Sequence, residues 1–297
     1  MTRGLSRPRP TGFGGAGLVL ALALFACGGT DLGSPTGPAG SAGPNFISNG
    51  VPTGSDFGSV GANLFDFDGD GIPDGGDCTG SLISPTVFLL AAHCVSAPGL
   101  GGECFLPASR QFVTFVPDLF ATWPPPDLIR VVECHADPQF TLGSIPTDFH
   151  DLAVLILPEG STAGKTPYTL PPAGLLDELA AHGGLEGQLV VNVGYGIDAT
   201  QRGRPRFSFD GVRKTSKSRF SHLLPNWLVL LINSNATGEG GACFIDSGSP
   251  HFLEGRPGMA VAVTTWGINR LCRAQNGNYR LDTPSARAFL GQFVSLP

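Results

Sequence analysis

Residues 240–250 read Gly240-Gly-Ala-Cys-Phe-Ile-Asp-Ser-Gly-Ser-Pro250, a stretch that sets Ser247 between an acid and a glycine. A serine hydroxyl is a poor nucleophile until a base takes its proton and fixed donors stabilise the oxyanion that forms. The stretch therefore carries chemistry only if a histidine and a buried carboxylate stand elsewhere in fitting surroundings.

Both are present. Residues 78–94 read Cys78-Thr-Gly-Ser-Leu-Ile-Ser-Pro-Thr-Val-Phe-Leu-Leu-Ala-Ala-His-Cys94, an apolar and β-branched run that ends on His93. Residues 150–157 read His150-Asp-Leu-Ala-Val-Leu-Ile-Leu157, with Asp151 at the head of a strand-like apolar run. The order His93, Asp151, Ser247 is one of the three chain orders in which a Ser-His-Asp triad occurs. On these motifs the chain resembles the trypsin/chymotrypsin-like serine proteases, from about residue 47 to its C-terminus.

The resemblance implies an all-β fold of two packed six-stranded antiparallel β-barrels, spanning about 47–165 and 166–297, with the cleft between them. It implies that Ser247 attacks the scissile carbonyl of a protein or peptide substrate. His93 would take the serine's proton and Asp151 would hold the imidazole in the right tautomer. The other histidines, His135, His150, His182, His222 and His251, lack matching surroundings and read as structural or surface residues.

Composition points to the same class on separate grounds. The 297 residues include 43 glycines and 26 prolines, and only 14% are charged. Such a chain is poor in helix formers and rich in turns. Strand-length apolar runs stand at Val87–Ala91, Leu152–Leu157, Leu189–Val193, Trp227–Ile232 and Met259–Thr265. Strands between Gly/Pro clusters predict a β-sandwich or barrel. Thr283-Pro-Ser-Ala-Arg-Ala-Phe-Leu290 predicts a short closing helix with proline in its first turn. A net charge of −6 without a basic cluster argues against nucleic acid as a partner. A monomer is expected.

The first residues read as an address. Arg3, Arg7 and Arg9 precede a short apolar stretch, Ala16–Phe25, the pattern of a signal peptide over 1–26. Leu24-Phe-Ala-Cys27 resembles a bacterial lipobox, which makes Cys27 a lipidation site. The alternative is an ordinary cleaved signal with an incidental cysteine. Residues 28–46 are rich in Gly, Pro, Ser and Ala, a flexible tether. The expected location is the bacterial cell envelope, with contact to the membrane only through Cys27.

Setting Cys27 aside leaves six cysteines, an even number that suits an exported chain. The resemblance implies bridges Cys78–Cys94 and Cys243–Cys272, which leaves Cys104 and Cys134 as the third pair.

Activation and specificity follow from the same resemblance. Ile47-Ser-Asn-Gly50 is similar to the start of the mature enzymes, whose freed amine pairs with the aspartate before the serine, here Asp246. The chain would then be a zymogen that cleavage at Phe46–Ile47 both activates and releases from its anchor. The alternative reading of 47–50 is a plain turn. Gly241, six residues before Ser247, would form the pocket floor, and Thr265, Trp266, Gly267 and Gly277 its walls. Without an aspartate at the floor, the expected preference is for apolar or aromatic side chains. No cofactor is expected for catalysis.

Two features depart from the family pattern. Ile245 stands where the family has glycine, and Ser249 replaces another. The backbone N–H groups of Ile245 and Ser247 would form the oxyanion hole, yet a β-branched residue resists positive φ. Separately, Asp66, Asp68, Asp70, Asp74 and Asp77 occupy positions 1, 3, 5, 9 and 12 of a calcium-loop spacing. Gly71 falls at position 6, and the Ile72 carbonyl falls at position 7. This is an expected structural Ca2+ site; the alternative is a solvated acidic hairpin tip. Two functions remain open: a secreted serine endopeptidase, or a catalytically impaired homologue serving as a calcium-stabilised surface binding module. A non-proteolytic esterase is a weaker third.

Overall fold

The computed structural model describes residues 47, 49–144, 147–199, 207–267 and 271–297. The chain divides into two units, 1–41 and 42–297, and every described residue lies in the second. The signal, the lipidation site Cys27 and the tether fall outside the described residues. Among those described, no helix is long and apolar enough to cross a membrane.

The strands in chain order are β1 (Val51–Pro52), β2 (Val60–Phe65), β3 (Gly75–Leu82), β4 (Val87–Leu90), β5 (Gln111–Thr114), β6 (Ile129–Arg130), β7 (Glu133–Ala136) and β8 (Ala153–Ile156). The second half adds β9 (Leu189–Gly194), β10 (Asp198–Ala199), β11 (Phe207–Ser208), β12 (Lys214–Leu224), β13 (Trp227–Leu231), β14 (Pro250–Leu253), β15 (Ala260–Gly267) and β16 (Gln275–Arg280). Three short helices are α1 (Leu175–Ala181), α2 (Ser234–Thr237) and α3 (Pro284–Leu290).

The second-half strands close on themselves. Their order is β12-β13-β16-β15-β14-β9, and β9 pairs back onto β12, which makes a six-stranded barrel with β1 added on β12. The first-half sheet runs β6-β5-β2-β3-β4-β8-β7. Its two edges belong to one stretch of chain that changes partner midway. The Val131 N–H donates to the Gln111 carbonyl (3.0 Å) and the next residue, Val132, to the Ile156 carbonyl (2.8 Å). Closure of this kind leaves few unpaired strand edges.

Burial explains which runs become strands. β4 is Val-Phe-Leu-Leu and entirely buried, and Ala260–Thr264 of β15 is buried as well. One apolar cluster lies inside each barrel, and a third is shared between them. The shared core packs Val60, Leu89 and Val154 of the first barrel with Val193, Trp227 and Phe252 of the second. Arg213 also crosses that boundary, fully buried and donating to the carbonyls of Gly54, Asp56, Val60 and Phe115. Helix α3 begins as its sequence suggests: the Thr283 hydroxyl caps the Ala286 N–H and proline follows at the first position.

Candidate active site

His93 sits in a single 3-10 turn, Ala92–Cys94, that follows the buried strand β4. The Cys78–Cys94 disulfide ties that turn to β3. Asp151 lies just before β8, next to β4 in the sheet, with no solvent exposure. Its carboxylate accepts from the His93 backbone N–H (2.9 Å) and meets His93 Nδ1 at 2.8 Å. One carboxylate thus grips both the main chain and the ring of the histidine. Burial pushes the imidazole pKa down, but the Asp151 charge and hydrogen bond outweigh it, so the His93 pKa stands above its usual value.

The Ser247 segment is seated on the same turn. The Ser247 carbonyl accepts from the Thr79 N–H (3.0 Å) and lies 3.7 Å from Cys94 Sγ. Gly248 follows at φ 80°, where an added Cβ would lie 2.7 Å from the Ala91 nitrogen and 2.5 Å from the Thr79 carbonyl. Glycine is therefore required there both for backbone angle and for close approach. Asp151 is thus bonded directly to His93, and the Ser247 main chain lies against Thr79 and Cys94 of the first barrel.

The residues before Ser247 are held as tightly. Ile245 has φ 72°, a conformation costly for a β-branched residue. Its carbonyl accepts from the Thr79 hydroxyl (3.1 Å) and the Phe244 carbonyl accepts from the Ile197 N–H (2.8 Å). Asp246 is buried, with its carboxylate accepting from the N–H groups of Gly196 and Cys243, both at 2.9 Å. Burial raises its pKa to about 7 despite those bonds and the Lys214 charge nearby. Gly196 is obligatory, since a Cβ there would come within 2.0 Å of the carboxylate. Ser249 is buried and bonds Thr264 Oγ1 (2.8 Å), which also meets His251 Nε2 (2.7 Å). Desolvation lowers the His251 pKa to about 3, so this histidine is neutral.

Ile47 is buried in a turn closed by the Gly50 N–H on the Ile47 carbonyl, at φ 47°. The residues after it run along the second barrel: Pro52 pairs with Lys214, Lys214 with Gly194, and the Gly194 Cα faces the Asp246 carboxylate.

A cavity of 390 Å³ opens beside Ser247. Thr265, Trp266 and Gly267 line it, as do Ile232, Phe244 and Asn276. Gly241 and Gly277 are not among its lining residues. Ile232 packs directly on Gly241, where a Cβ would meet it at 2.1 Å, and the Trp266 indole lies over Gly277 at 1.9 Å from such an atom. Ile232 and Asn276 were not expected at this pocket, although Asn276 directly precedes Gly277 in the sequence. The Cys243–Cys272 disulfide forms part of the wall, and the third bridge, Cys104–Cys134, holds the loop after His93 to β7.

The acidic loop joins β2 to β3. Carboxylate oxygens of Asp66, Asp68 and Asp74 lie within 4.8 Å of one another. The Asp70 side chain accepts from the Ile72 N–H (2.8 Å) and lies outside that group. Nothing is described of the Asp77 side chain. Burial raises the Asp66 pKa, but the N–H groups of Gly71 and Gly69 and the Arg110 charge together bring it below its usual value.

No protein-family model matches the sequence, and no curated protein does either. Solved structures do match. HL collagenase is similar at a TM-score of 0.57 and 15% identity, covering 82% of this chain and 95% of its own. A structure of HBP gives 0.56 and 18%, with 84% and 96% covered. Human heparin binding protein gives 0.54 and 17%, with 82% and 95% covered. One neighbour is named for an enzyme and another for heparin binding, so the likeness speaks to architecture and not to activity. The chain has the two-barrel fold of the chymotrypsin-like serine proteases.

Proposed function

We propose that this chain is an exported serine endopeptidase that uses Ser247 as nucleophile, His93 as general base and Asp151 as the group that orients it. The observation that carries this reading is the double grip of Asp151 on His93, with the Ser247 loop seated on the same turn and bordering a cavity. The oxyanion would be held by the N–H groups of Ile245 and Ser247. A trans peptide points its N–H opposite to its C=O, so anchoring the Phe244 carbonyl on the Ile197 N–H turns the Ile245 N–H away from Ile197. Labelling by a fluorophosphonate probe, lost in Ser247→Ala, tests the assignment. Absence of labelling in the Ile47-started protein would favour the second reading, a catalytically impaired binding module, for which the Ile245 backbone conformation is the motivating observation.

The zymogen reading rests on Asp246. A buried carboxylate with a pKa raised to about 7 would gain from a closer cation, and Pro52, five residues after Ile47, pairs with Lys214, whose other neighbour Gly194 lies beside Asp246. Cleavage at Phe46–Ile47 would supply an ammonium group. N-terminal sequencing of the active species should begin at Ile47, and any upstream start overturns this. The signal peptide, the Cys27 anchor and the cell-envelope location belong to the same proposal, as does a stabilising Ca2+ in the Asp66–Asp77 loop.

A further inference from the structure

The connection between β5 and β6 carries an apolar loop, Phe120-Ala-Thr-Trp-Pro-Pro-Pro126, without a charged residue. Phe120 is 53% exposed and Trp123 42%, with their ring centroids 6.1 Å apart. Phe209, 36% exposed, meets Phe120 edge-on at 5.5 Å. The loop is held out by its foot. Leu119 is buried, and its N–H donates to the Gly211 carbonyl (3.0 Å). Asp118 accepts from the N–H groups of Phe120 (2.9 Å) and Ala121 (3.1 Å). The Phe120 ring lies on Gly211, where a Cβ would meet it at 2.8 Å. The other acids that flank these aromatics are engaged as well. Asp127 accepts from the Phe115 N–H (3.0 Å) and the Thr114 hydroxyl, and Asp210 pairs with Lys214.

Exposed aromatic rings gathered in one patch mark a surface that meets a partner. A polypeptide partner bound in extended form takes main-chain hydrogen bonds. Of the seven residues 120–126, five have no N–H to offer: three are prolines, and two are held by Asp118. A lipid interface asks for the opposite, an apolar tip whose donors are satisfied or missing. Tryptophan and phenylalanine are side chains that settle at that depth. The sequence also places such a surface within reach. The anchor proposed at Cys27 is separated from Ile47 by the 19 residues 28–46, a span of roughly 25 Å for a Gly/Ser-rich chain.

Resting on the exported, anchored reading above, we propose that the loop 120–126, together with Phe209, docks on a zwitterionic lipid bilayer by inserting Phe120 and Trp123 at its interface. The net charge of −6 disfavours an anionic surface. The exposed rings also continue towards the candidate site. Phe207, two residues before Phe209, packs on Phe244 at 5.9 Å, and Phe244 lines the cavity beside Ser247. Docking would thus hold that cavity close to the membrane.

The test takes the mature chain, residues 27–297, as Cys27→Ser so that no lipid is attached, and mixes it with phosphatidylcholine vesicles. Trp123 is one of three tryptophans, and Trp227 is fully buried. We expect co-sedimentation that survives salt at about 0.5 M, and quenching of tryptophan fluorescence by lipids brominated near the headgroup end of their chains. Trp123→Ser should remove most of the quenching. Phe120→Ser and Trp123→Ser should each weaken vesicle binding at least about tenfold, with Tm unchanged. Leu142→Ser, which removes a side chain 64% exposed on the β7–β8 connection, should leave binding and quenching as they were. Absence of quenching, or vesicle binding unmoved by Phe120→Ser and Trp123→Ser, overturns the proposal. A KM for long peptides that rises in Phe120→Ser without any vesicle binding also overturns it, and assigns the loop to a polypeptide. The anchor is judged separately, by detergent-phase partitioning of the wild-type chain that Cys27→Ser abolishes. Docking without an anchor upholds the bilayer surface and removes the lipoprotein reading; an anchor without quenching does the reverse.

Discussion

The Phe244 carbonyl accepts a 2.8 Å hydrogen bond from the Ile197 N–H, and this bond holds the peptide that leads into Ile245. Together with the Thr79 hydroxyl on the Ile245 carbonyl, it fixes both peptides around a residue at φ 72°. Holding a β-branched residue there costs roughly 1–2 kcal/mol, and such strain persists only where the surroundings over-determine it. Replacing it with glycine removes the Cβ clash but frees the unfolded chain. Ile245→Gly should therefore stabilise the protein by up to about 1 kcal/mol, seen as a rise of a few degrees in Tm, with kcat unchanged or higher. A fall in Tm would show that the isoleucine side chain contributes packing that outweighs the strain.

Under the proposed mechanism, the grip of Asp151 on His93 would set the acid limb of activity. Only neutral His93 can accept the serine proton, and its pKa stands above 6.5 because Asp151 outweighs burial. kcat/KM should accordingly rise with pH through a midpoint above 6.5. The sign for stability is opposite: the favourable pairing of protonated His93 is fully present below pH 6.5 and lost as pH rises through the folded pKa. In Asp151→Asn the midpoint should move down and kcat fall by about ten-thousandfold. An unmoved midpoint would mean that another group controls the profile.

Asp246 gives the uncleaved chain a different pH dependence. Its carboxyl is raised to about 7 from an ordinary 3.8, chiefly by burial. The folded state then binds more protons than the unfolded state between those values, so stability is lost as pH rises from about 4 to 7. The loss is on the order of a few kcal/mol. Thermal melts of the uncleaved protein should show this slope, and Asp246→Asn should flatten it even if the substitution weakens one of the two backbone bonds. Cleavage before Ile47 should flatten it too. A slope that survives Asp246→Asn assigns the effect to another group.

Much of the architecture was legible because its strands are apolar and short. The runs at 87–91, 152–157, 189–193, 227–232 and 259–265 each fall within two residues of an observed strand. Strand β12 was hidden because its buried residues include Lys214, Ser216 and Ser218 instead of aliphatics, and Asn192 inside the barrel hydrogen-bonds both serine hydroxyls. Strand β3, Gly-Gly-Asp-Cys-Thr-Gly-Ser-Leu, has little β propensity and exists through close approach: a Cβ on Gly80 would meet the Phe88 ring at 2.4 Å. The site's motif residues could be read because each stands in a distinctive local string. Ile232 and Asn276 could not, since their place at the cavity comes from strand register between β13, β15 and β16 and not from any motif.

The acidic loop offers a test that does not depend on catalysis. Three aspartate carboxylates converge at the β2–β3 connection, and like charges at that distance repel unless a cation joins them. Calcium at a hundred times its Kd would add about 2.7 kcal/mol to stability. We expect a calcium-dependent rise in Tm of several degrees, abolished in Asp68→Ala and not reproduced by magnesium. No shift at millimolar calcium would leave the loop as a solvated hairpin tip.

Arg213 links the two barrels by hydrogen bonds and by a contact with the Tyr195 ring, without an ion pair among the described residues. It is 1% exposed, pairs with no carboxylate among the described residues, and donates to four backbone carbonyls and the Thr53 hydroxyl. The carbonyls of Val60 and Phe115 belong to the first barrel, while Arg213 itself leads into β12 of the second. Removing the guanidinium strands several buried acceptors, each at a cost of about 1–3 kcal/mol. Lysine can refill some of them with three donors but lacks the planar fork. Chemical denaturation should therefore rank wild type above Arg213→Lys, and that above Arg213→Met, with the last losing at least about 3 kcal/mol. Because the proposed triad takes His93 and Asp151 from the first barrel and Ser247 from the second, kcat/KM should fall in the same order while fluorophosphonate labelling persists in the folded fraction. Stability of Arg213→Met within about 0.5 kcal/mol of wild type would show that the barrels are held by their shared apolar core without this cation.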